Sequence, residues 1–273
     1  MWEWQCLIIL FTYKEKMKYY STNNKNYKVS FQEAVTKGLS PDGGLFMPEY
    51  IPQLENSFLR NLDKYSIQEI GFEVAKLFVE DEIPTADLKN IIDDAINFDA
   101  PLVSLDENIS ILELFHGPTL AFKDFGARFM ARTMSYFLRN SNVEVNILVA
   151  TSGDTGSAVA SGFYGIEGIK VFLLYPSGKV SDIQEKQLTT FDKNITALEI
   201  DGTFDDCQKL VKTAFVDDEL NAKIKLSSAN SINIARLIPQ SFYYFNAYKL
   251  IKDKQKKILF SIPSGNLGNL AAG

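Results

Sequence analysis

The chain has 273 residues, of which 46% are hydrophobic and 23% charged, as in a globular protein of one large or two smaller domains. The net charge of −6 argues against a nucleic-acid or anionic-membrane surface, so we expect neither partner. A single histidine excludes His-paired zinc sites, and we predict no metal. The two cysteines, Cys6 and Cys207, are far apart and fit a reducing compartment, which predicts a cytoplasmic protein.

The first sixteen residues, MWEWQCLIILFTYKEK, differ in character from the rest of the chain. Their apolar run is too short to span a bilayer and lacks a preceding basic segment, although a weak signal peptide is an alternative. A polar stretch that reads like a natural start begins at Met17. We therefore expect residues 1–16 to be an extension that is not part of the fold.

Residues 17–100 are predicted to form a helix-rich N-terminal domain. Helical periodicity runs from about Ser66 to Asn97. One face of this stretch is apolar at Ile67, Ile70, Val74, Leu77 and Phe78. The segment SPDGGLFMPEYIP, residues 40–52, is rich in proline and glycine and is predicted to be loop or turn.

From residue 101 onward, apolar runs alternate with helical segments. The predicted strands are ISILELF (109–115), VEVNILVA (143–150), IKVFLLY (169–175), ITALEI (195–200) and KILFSI (257–262). The predicted helices are 125–138, 203–215 and 231–252, the last kinked at Pro239. Continuous hydrophobic strands separated by helices indicate a parallel sheet covered on both faces, so the fold class is α/β.

Two predicted strands are followed by small, polar, glycine-containing turns. These turns are TSGDTGSAVA (151–160) and SGNLGNLAAG (264–273). Open α/β sheets bind ligands at the carboxyl ends of their strands, and such a turn can direct backbone N–H groups at an anion. The alternative is an ordinary strand-to-helix turn in which Ser152, Asp154 or Ser264 caps the helix.

The common nucleotide and hydrolase motifs are missing. PSGKVS (176–181) lacks the glycine and hydroxyl positions of a Walker A loop, and GDTG (153–156) is too short for the dinucleotide motif. The chain also has no GxSxG nucleophile motif. A Rossmann-type nucleotide-binding module is therefore disfavoured.

Lys123 comes directly after Leu120, Ala121 and Phe122, in FHGPTLAFKDFGARFM. A lysine in such surroundings either snorkels or uses its amine in chemistry. Removal from water disfavours the ammonium form, and a neutral amine can form a Schiff base with an aldehyde. Pyridoxal phosphate supplies such an aldehyde, and its phosphate needs a loop lined with N–H groups. Lys123 and the Gly265–Asn269 loop match these two needs.

Five motifs in order resemble the threonine synthase family. They are HGPTLAFKDFG, ATSGDTGSAV, PSGKVSDIQEKQ, SANSINIARL and PSGNLGN, and SPDGGLFMP resembles the family's opening region. The resemblance extends from about Met17 to Gly273. It implies a fold-type II pyridoxal-phosphate enzyme with parallel-sheet, Rossmann-like subdomains, in which residues 101–273 form the cofactor-binding α/β domain.

The resemblance also implies roles for individual residues. Lys123 would be the catalytic lysine that binds the cofactor, and Phe122 would pack near the cofactor ring. The loop that holds the cofactor phosphate would consist of Gly265, Asn266, Leu267, Gly268 and Asn269. The loop that meets the substrate carboxylate and the cofactor ring would include Ser152, Gly153, Asp154 and Thr155.

The motif SANSINIAR is expected to meet a phosphate-bearing substrate. Asn230 and Ser231 are predicted to cap a helix whose second turn presents Arg236, with Asn233 on a nearby face. The alternative is a helix cap with a surface arginine after it. His116 is interpreted as a structural side chain that orients the Lys123 loop rather than as an acid–base catalyst.

The implied reaction converts O-phospho-L-homoserine and water to L-threonine and phosphate. The alternatives are another fold-type II enzyme, such as a serine or threonine dehydratase or a phospho-lyase, and an inactive product that binds no cofactor. Family members continue well beyond the position that matches Gly273. We therefore expect the fold to be incomplete at the C-terminus, with exposed apolar surface and uncertain activity of this chain.

Overall fold

The structure of the chain is a computed structural model that describes residues 16–263 and 265–273. The predicted extension, residues 1–16, lies outside the described residues except for Lys16. Ser264, one of the candidate helix caps, also lies outside them.

Helices make up much of the N-terminal region, as the sequence predicts. They are α1 (Phe31–Lys37), α2 (Asn56–Arg60), α3 (Ile67–Val79) and α4 (Thr85–Ala95), with short 3-10 helices at Leu62–Lys64 and Glu80–Glu82. A capping box starts α3, because the Ser66 hydroxyl accepts from Glu69 N and the Glu69 carboxylate accepts from Ser66 N. The predicted apolar face is buried at its start, whereas Leu77 and Phe78 are only half-buried.

A small antiparallel sheet joins these helices, and the sequence analysis missed it. Its strands are β1 (Tyr19–Ser21), β2 (Lys28–Val29) and β3 (Phe46–Pro48), in the order β2-β1-β3. The prediction that residues 40–52 are entirely loop or turn is therefore wrong. Phe46 is buried and pairs opposite Ser21, so pairing and burial produce a strand within a proline- and glycine-rich segment.

The strand predicted at 109–115 is shorter than expected and belongs to a different sheet. It forms only as β5 (Ser110–Leu112), which pairs antiparallel with β4 (Leu102–Ser104). Its central pair, Val103 and Ile111, is 41% and 45% exposed. This hairpin therefore adds little to the core, and the prediction that it belongs to the parallel sheet is wrong.

The main sheet is parallel, which confirms the predicted α/β class. It consists of β6 (Val145–Ala150), β7 (Ile169–Pro176), β8 (Ile195–Ile200) and β9 (Lys225–Ser228), in the order β8-β7-β6-β9. The connecting helices are α6 (Asp154–Phe163), α7 (Asp182–Thr189), α8 (Phe204–Phe215) and α9 (Asp218–Lys223). The sequence predicted β6, β7 and β8 but missed β9, whose short KLSS sequence carries little strand signal.

Two long helices pack against each other beside the sheet. They are α5 (Lys123–Leu138) and α10 (Ile234–Leu250), and α10 continues through Pro239. Phe125 of α5 makes an edge contact with Tyr243 of α10 at 5.1 Å between ring centroids. Nearly all residues in the first two turns of α5 are buried. Lys123 thus begins a helix that runs through the core.

The strand predicted at 257–262 does not form. These residues are extended, but they pair with no other strand among the described residues, and Leu259 is 85% exposed. A strand needs a neighbour for its backbone N–H and C=O groups, so an apolar run alone is not sufficient. The chain then reaches the short helix α11 (Gly268–Ala272).

Candidate active site

Lys123 is the first residue of α5, and its side chain is half-buried. Within the described part of the chain its ammonium makes no hydrogen bond or ion pair, and Nζ lies 5.8 Å from the centre of the Phe122 ring. Burial lowers the pKa of Lys123, the charge of Asp154 opposes this shift, and the charge of Arg236 adds to it. The structure therefore provides an unpaired amine that holds its proton less tightly than a surface lysine does.

Asp124, the residue after Lys123, holds the loop that precedes Lys123 through hydrogen bonds to Thr119. The carboxylate of Asp124 accepts hydrogen bonds from Thr119 N at 2.8 Å and from Thr119 Oγ1 at 2.7 Å. Asp124 is fully buried, and burial raises its pKa while the bonds from Thr119 lower it. The backbone wraps closely around this group, because a Cβ on Gly117 would lie 2.5 Å from Asp124 Oδ2. The position of Lys123 is thus fixed by its own loop.

His116 lies at the start of the same loop and is partly exposed. Its Nε2 lies 2.8 Å from Glu113 Oε2, and its ring stacks on Phe115 at 4.9 Å between centroids. Both contacts are local to residues 113–116. They are compatible with a structural side chain, and that role stays a prediction.

The turn after β6 is held from inside by the hydroxyl of Thr151. Thr151 Oγ1 accepts hydrogen bonds from Gly153 N at 3.0 Å and from Gly156 N at 2.8 Å. The N-cap of α6 is Gly153, whose φ of +141° suits glycine. The alternative in which Ser152 or Asp154 caps this helix is therefore wrong. Both side chains are exposed at the carboxyl end of the sheet.

The loop that leads into α10 is capped by a different residue from the one predicted. Asn233 is the N-cap, and its Oδ1 accepts from Ala235 N at 3.0 Å. The prediction that Asn230 and Ser231 cap the helix is wrong, and Arg236 consequently lies in the first turn rather than the second. Asn233 is fully buried, and its Nδ2 donates to Val35 O at 2.9 Å. Both ends of its amide are thus engaged within the protein.

Arg236 is a buried cation close to Lys123. Only 2% of its surface is exposed, so the alternative of a surface arginine is wrong. Nη1 donates to Ala229 O, whereas the buried Nε has no acceptor in the described residues. Burial lowers the pKa of Arg236 to about 10, and the charge of Asp124 opposes this shift. Because a guanidinium has five N–H donors, Arg236 keeps unused donors that suit an anion.

Gly126 explains how closely Arg236 approaches α5. A Cβ at this position would lie 2.8 Å from Arg236 O and 2.9 Å from Arg236 Nε. Glycine therefore lets the start of α10 contact the first turn of α5 directly, which places Arg236 near Lys123.

The first turn of α11 is held by two tyrosines that the sequence did not predict. Asn269 Oδ1 accepts hydrogen bonds from Tyr243 OH at 2.9 Å and from Tyr244 OH at 2.7 Å. Gly265 is exposed, and a Cβ there would meet nothing within 4 Å. A Cβ on Gly268 would lie 3.4 Å from Ser231 Cβ, so this turn adjoins the loop that leads to Arg236. The two tyrosines can be recognised only from these long-range contacts, because no motif in the neighbouring sequence marks them.

Other polar groups in the predicted motifs have partners elsewhere. Lys179 Nζ donates to Gly202 O at 2.9 Å, whereas Lys186 is exposed. A cavity of about 740 Å³ lies between α3 and α10 and contains none of the predicted site residues. In the described ranges no cluster of acidic, histidine and cysteine side chains could hold a metal ion. None of the described helices has the length and apolar character to cross a membrane.

Comparison with known proteins agrees with the motifs. A family described as "Threonine synthase N terminus" matches residues 18–96. The threonine synthases of Haemophilus influenzae and Escherichia coli are 48% and 45% identical to the chain over 258 residues, which are 94% of it. Over this length the chain is similar to threonine synthases. It spans 60% of the length of these two relatives.

Solved structures of threonine synthases have the same fold. The crystal structure of the Escherichia coli threonine synthase superposes with a TM-score of 0.87 at 44% identity, covering 94% of this chain and 60% of that one. The structure of PLP-bound threonine synthase from Brucella melitensis gives 0.86 at 41% identity, covering 94% and 57%. The predicted fold-type II architecture is confirmed.

Proposed function

We propose that the protein acts as a threonine synthase with pyridoxal phosphate as cofactor, converting O-phospho-L-homoserine and water to L-threonine and phosphate. One observation supports this most directly. Two charges act on the unpaired, half-buried amine of Lys123: that of Asp154, in the turn after β6, and that of Arg236, on α10. The names of the relatives and of the PLP-bound neighbour support the same reaction and the same cofactor.

The residues present suit this cofactor. A lysine whose pKa is lowered by burial is a better nucleophile toward an aldehyde than an ordinary lysine. Gly265 has no side chain, and the space around it is open, because a Cβ there would meet nothing within 4 Å. When bound, pyridoxal phosphate supplies the aldehyde and an electron sink. We propose that Lys123 holds the cofactor and that Gly265, Asn266, Leu267, Gly268 and Asn269 surround its phosphate.

The remaining roles are assigned from charge and exposure. The Lys123 amine can accept and return a proton because its pKa is lowered. Arg236 provides a buried positive charge with unused donors, which suits the substrate phosphate, and Asn230 lies on the adjoining loop. Ser152, Asp154 and Thr155 lie at the end of β6, where they can orient the amino acid. Phe122 limits the access of water to Lys123.

The proposal predicts that the cofactor labels one lysine. The purified chain is incubated with pyridoxal phosphate, reduced with borohydride, digested and mapped by mass spectrometry. We expect the modified peptide to contain Lys123. Lys123→Ala should lose both this label and any release of phosphate from O-phospho-L-homoserine, because the amine proposed to bind the cofactor is removed.

Lys186→Ala is the matched control, because Lys186 is an exposed lysine on α7. This variant should keep the label at Lys123. Labelling spread over surface lysines, with none preferred, would contradict cofactor binding. Labelling at Lys123 together with ammonia release from serine, and no phosphate release from phosphohomoserine, would favour the dehydratase alternative.

Other expectations from the sequence also stay proposals. We propose a division near residue 100 between a helix-rich N-terminal domain (17–100) and the cofactor-binding α/β domain (101–273). We also propose a cytoplasmic location and a small-molecule substrate, with neither nucleic acid nor membrane as a partner.

A further inference from the structure

Gln184 has a side-chain amide whose orientation is determined by its neighbours. Its Oε1 accepts from Ser181 N at 3.4 Å and from Ser181 Oγ at 3.1 Å, while Gln184 N donates to Ser181 Oγ at 3.3 Å. This capping box starts α7 and holds the oxygen end of the amide. The nitrogen end must therefore point away from Ser181.

The nitrogen end of this amide reaches the turn after β6. Gln184 Nε2 donates to Asp154 Oδ1 at 3.0 Å. A Cβ on Gly153 would lie 2.2 Å from the same nitrogen, so only glycine lets the amide approach this closely. Gln184 thus contacts the turn through its side chain and restrains the one carboxylate in it.

Asp154 is the charged group that attracts the Lys123 ammonium. Among the described residues, two charges act on this amine: Asp154 at the start of α6 raises its pKa, and Arg236 on α10 lowers it. Asp124, the neighbour of Lys123, is bonded to Thr119 instead. The direction of the Asp154 carboxylate therefore influences the protonation of Lys123.

We propose that Gln184 is a positioning residue that holds the Asp154 carboxylate in place at the start of α6. This inference rests on the proposed function, because it takes Lys123 as the reactive amine. The hydrogen bond restrains the rotation of the exposed Asp154 carboxylate, so that its charge keeps one position relative to Lys123. Gln184 thus acts from a helix that contributes no other residue to the predicted site.

Competitive labelling with acetic anhydride tests the proposal without cofactor. The full chain is labelled across a pH range, and the acetylation of Lys123 is quantified by mass spectrometry against the surface lysines. In the Gln184→Met variant Asp154 loses its donor, so the titration midpoint of Lys123 should move to lower pH. Gln187→Met, a half-buried glutamine on the same helix, is the matched control and should leave the midpoint unchanged.

A double variant separates this effect from a general loosening of the structure. In an Asp154→Asn background, Gln184→Met should cause no further shift, because the charge that Gln184 positions is already gone. An unchanged midpoint in folded Gln184→Met, or the same shift in the Asp154→Asn background, would overturn the proposal. If Gln184→Met does not fold, Gln184→Ala gives the same comparison.

The two proposals fail in distinguishable ways. If borohydride reduction did not label Lys123, the proposed function would be contradicted, but the acetic anhydride titration could still be measured. If the titration midpoint of Lys123 did not change in Gln184→Met, the role of Gln184 would be contradicted, but cofactor binding would not.

Discussion

The two glycine-containing turns that resemble each other in sequence differ in how they are held. In the turn after β6, the buried Thr151 hydroxyl accepts hydrogen bonds from the backbone of Gly153 and Gly156, which are also buried. The turn before α11 is exposed at Gly265 and is tied to α10 through Asn269. Small polar residues and glycines permit a tight turn, but contacts from distant residues decide how rigid it is.

The largest difference should appear when the same substitution is made in both turns. A Cβ on Gly156 would lie 2.6 Å from Leu188 Cδ2 and 2.6 Å from Thr151 Cγ2. Gly156→Ala should therefore lower the free energy of unfolding by about 3 kcal/mol, the upper range of overpacking costs. Urea denaturation followed by circular dichroism measures the change.

Gly265→Ala is the matched control, because a Cβ there would meet nothing within 4 Å. Its effect should stay within about 0.5 kcal/mol, as for other surface substitutions. Equal losses in the two variants would contradict the difference in packing between the turns.

Removing the hydroxyl of Thr151 should have an intermediate effect. Thr151→Val keeps the shape of the side chain but leaves Gly153 N and Gly156 N without their acceptor. Loss of a buried acceptor costs about 2 kcal/mol, so the urea midpoint should fall accordingly.

The control for this change is Thr189→Val at the end of α7. Thr189 Oγ1 donates to Glu185 O at 2.9 Å in an exposed position, where water replaces the bond. We expect a change within about 0.5 kcal/mol. If Thr151→Val were equally mild, the turn after β6 would not depend on its internal hydroxyl.

The smallest effect is expected at the exposed turn. Asn269→Ala removes the side-chain acceptor of Tyr243 OH and Tyr244 OH, although Tyr243 OH keeps Gln240 Oε1 at 3.4 Å and Tyr244 OH keeps the backbone oxygen of residue 269 at 3.0 Å. The free energy of unfolding should fall by about 1 kcal/mol, and cleavage of the turn in limited proteolysis should become faster.

Asn266→Ala is the comparison for this variant, because Asn266 is exposed and makes no hydrogen bond in the described residues. It should leave both unfolding and proteolysis unchanged. A larger effect at Asn266 than at Asn269 would show that the tyrosines do not hold the turn.

Sequence patterns predicted β6, β7 and β8 because these strands carry their signal in their own side chains. The apolar runs of β6 and β7 are buried as the two central strands, whereas β8 is an edge strand with a mixed pattern of burial. The sequence missed β9 because two of its four residues are serines, which are buried where the strand pairs with β6. It placed a strand at 257–262 that does not form, since side-chain pattern does not supply a neighbouring strand.

Those features of the candidate site that depend on neighbouring residues in the sequence could be predicted. Those that depend on tertiary contacts could not. The apolar residues before Lys123 indicated a desolvated amine, and the structure lowers its pKa accordingly. Three good capping residues lie close together at Asn230, Ser231 and Asn233, and local propensity does not choose among them. Gln184 and Tyr243 act on loops distant in sequence, so no nearby pattern identifies them.

The hydrogen bond from Asn233 to Val35 has a consequence for the biosynthesis of this protein. It joins residues 198 positions apart, and Asn233 also starts the helix that carries Arg236. During translation, α1 leaves the ribosome long before its partner amide exists. Closing so long a loop is slow, and most of the polypeptide must be made before the arginine reaches its place beside the lysine. Chaperones that shield the early segment should therefore increase the yield of correctly assembled protein.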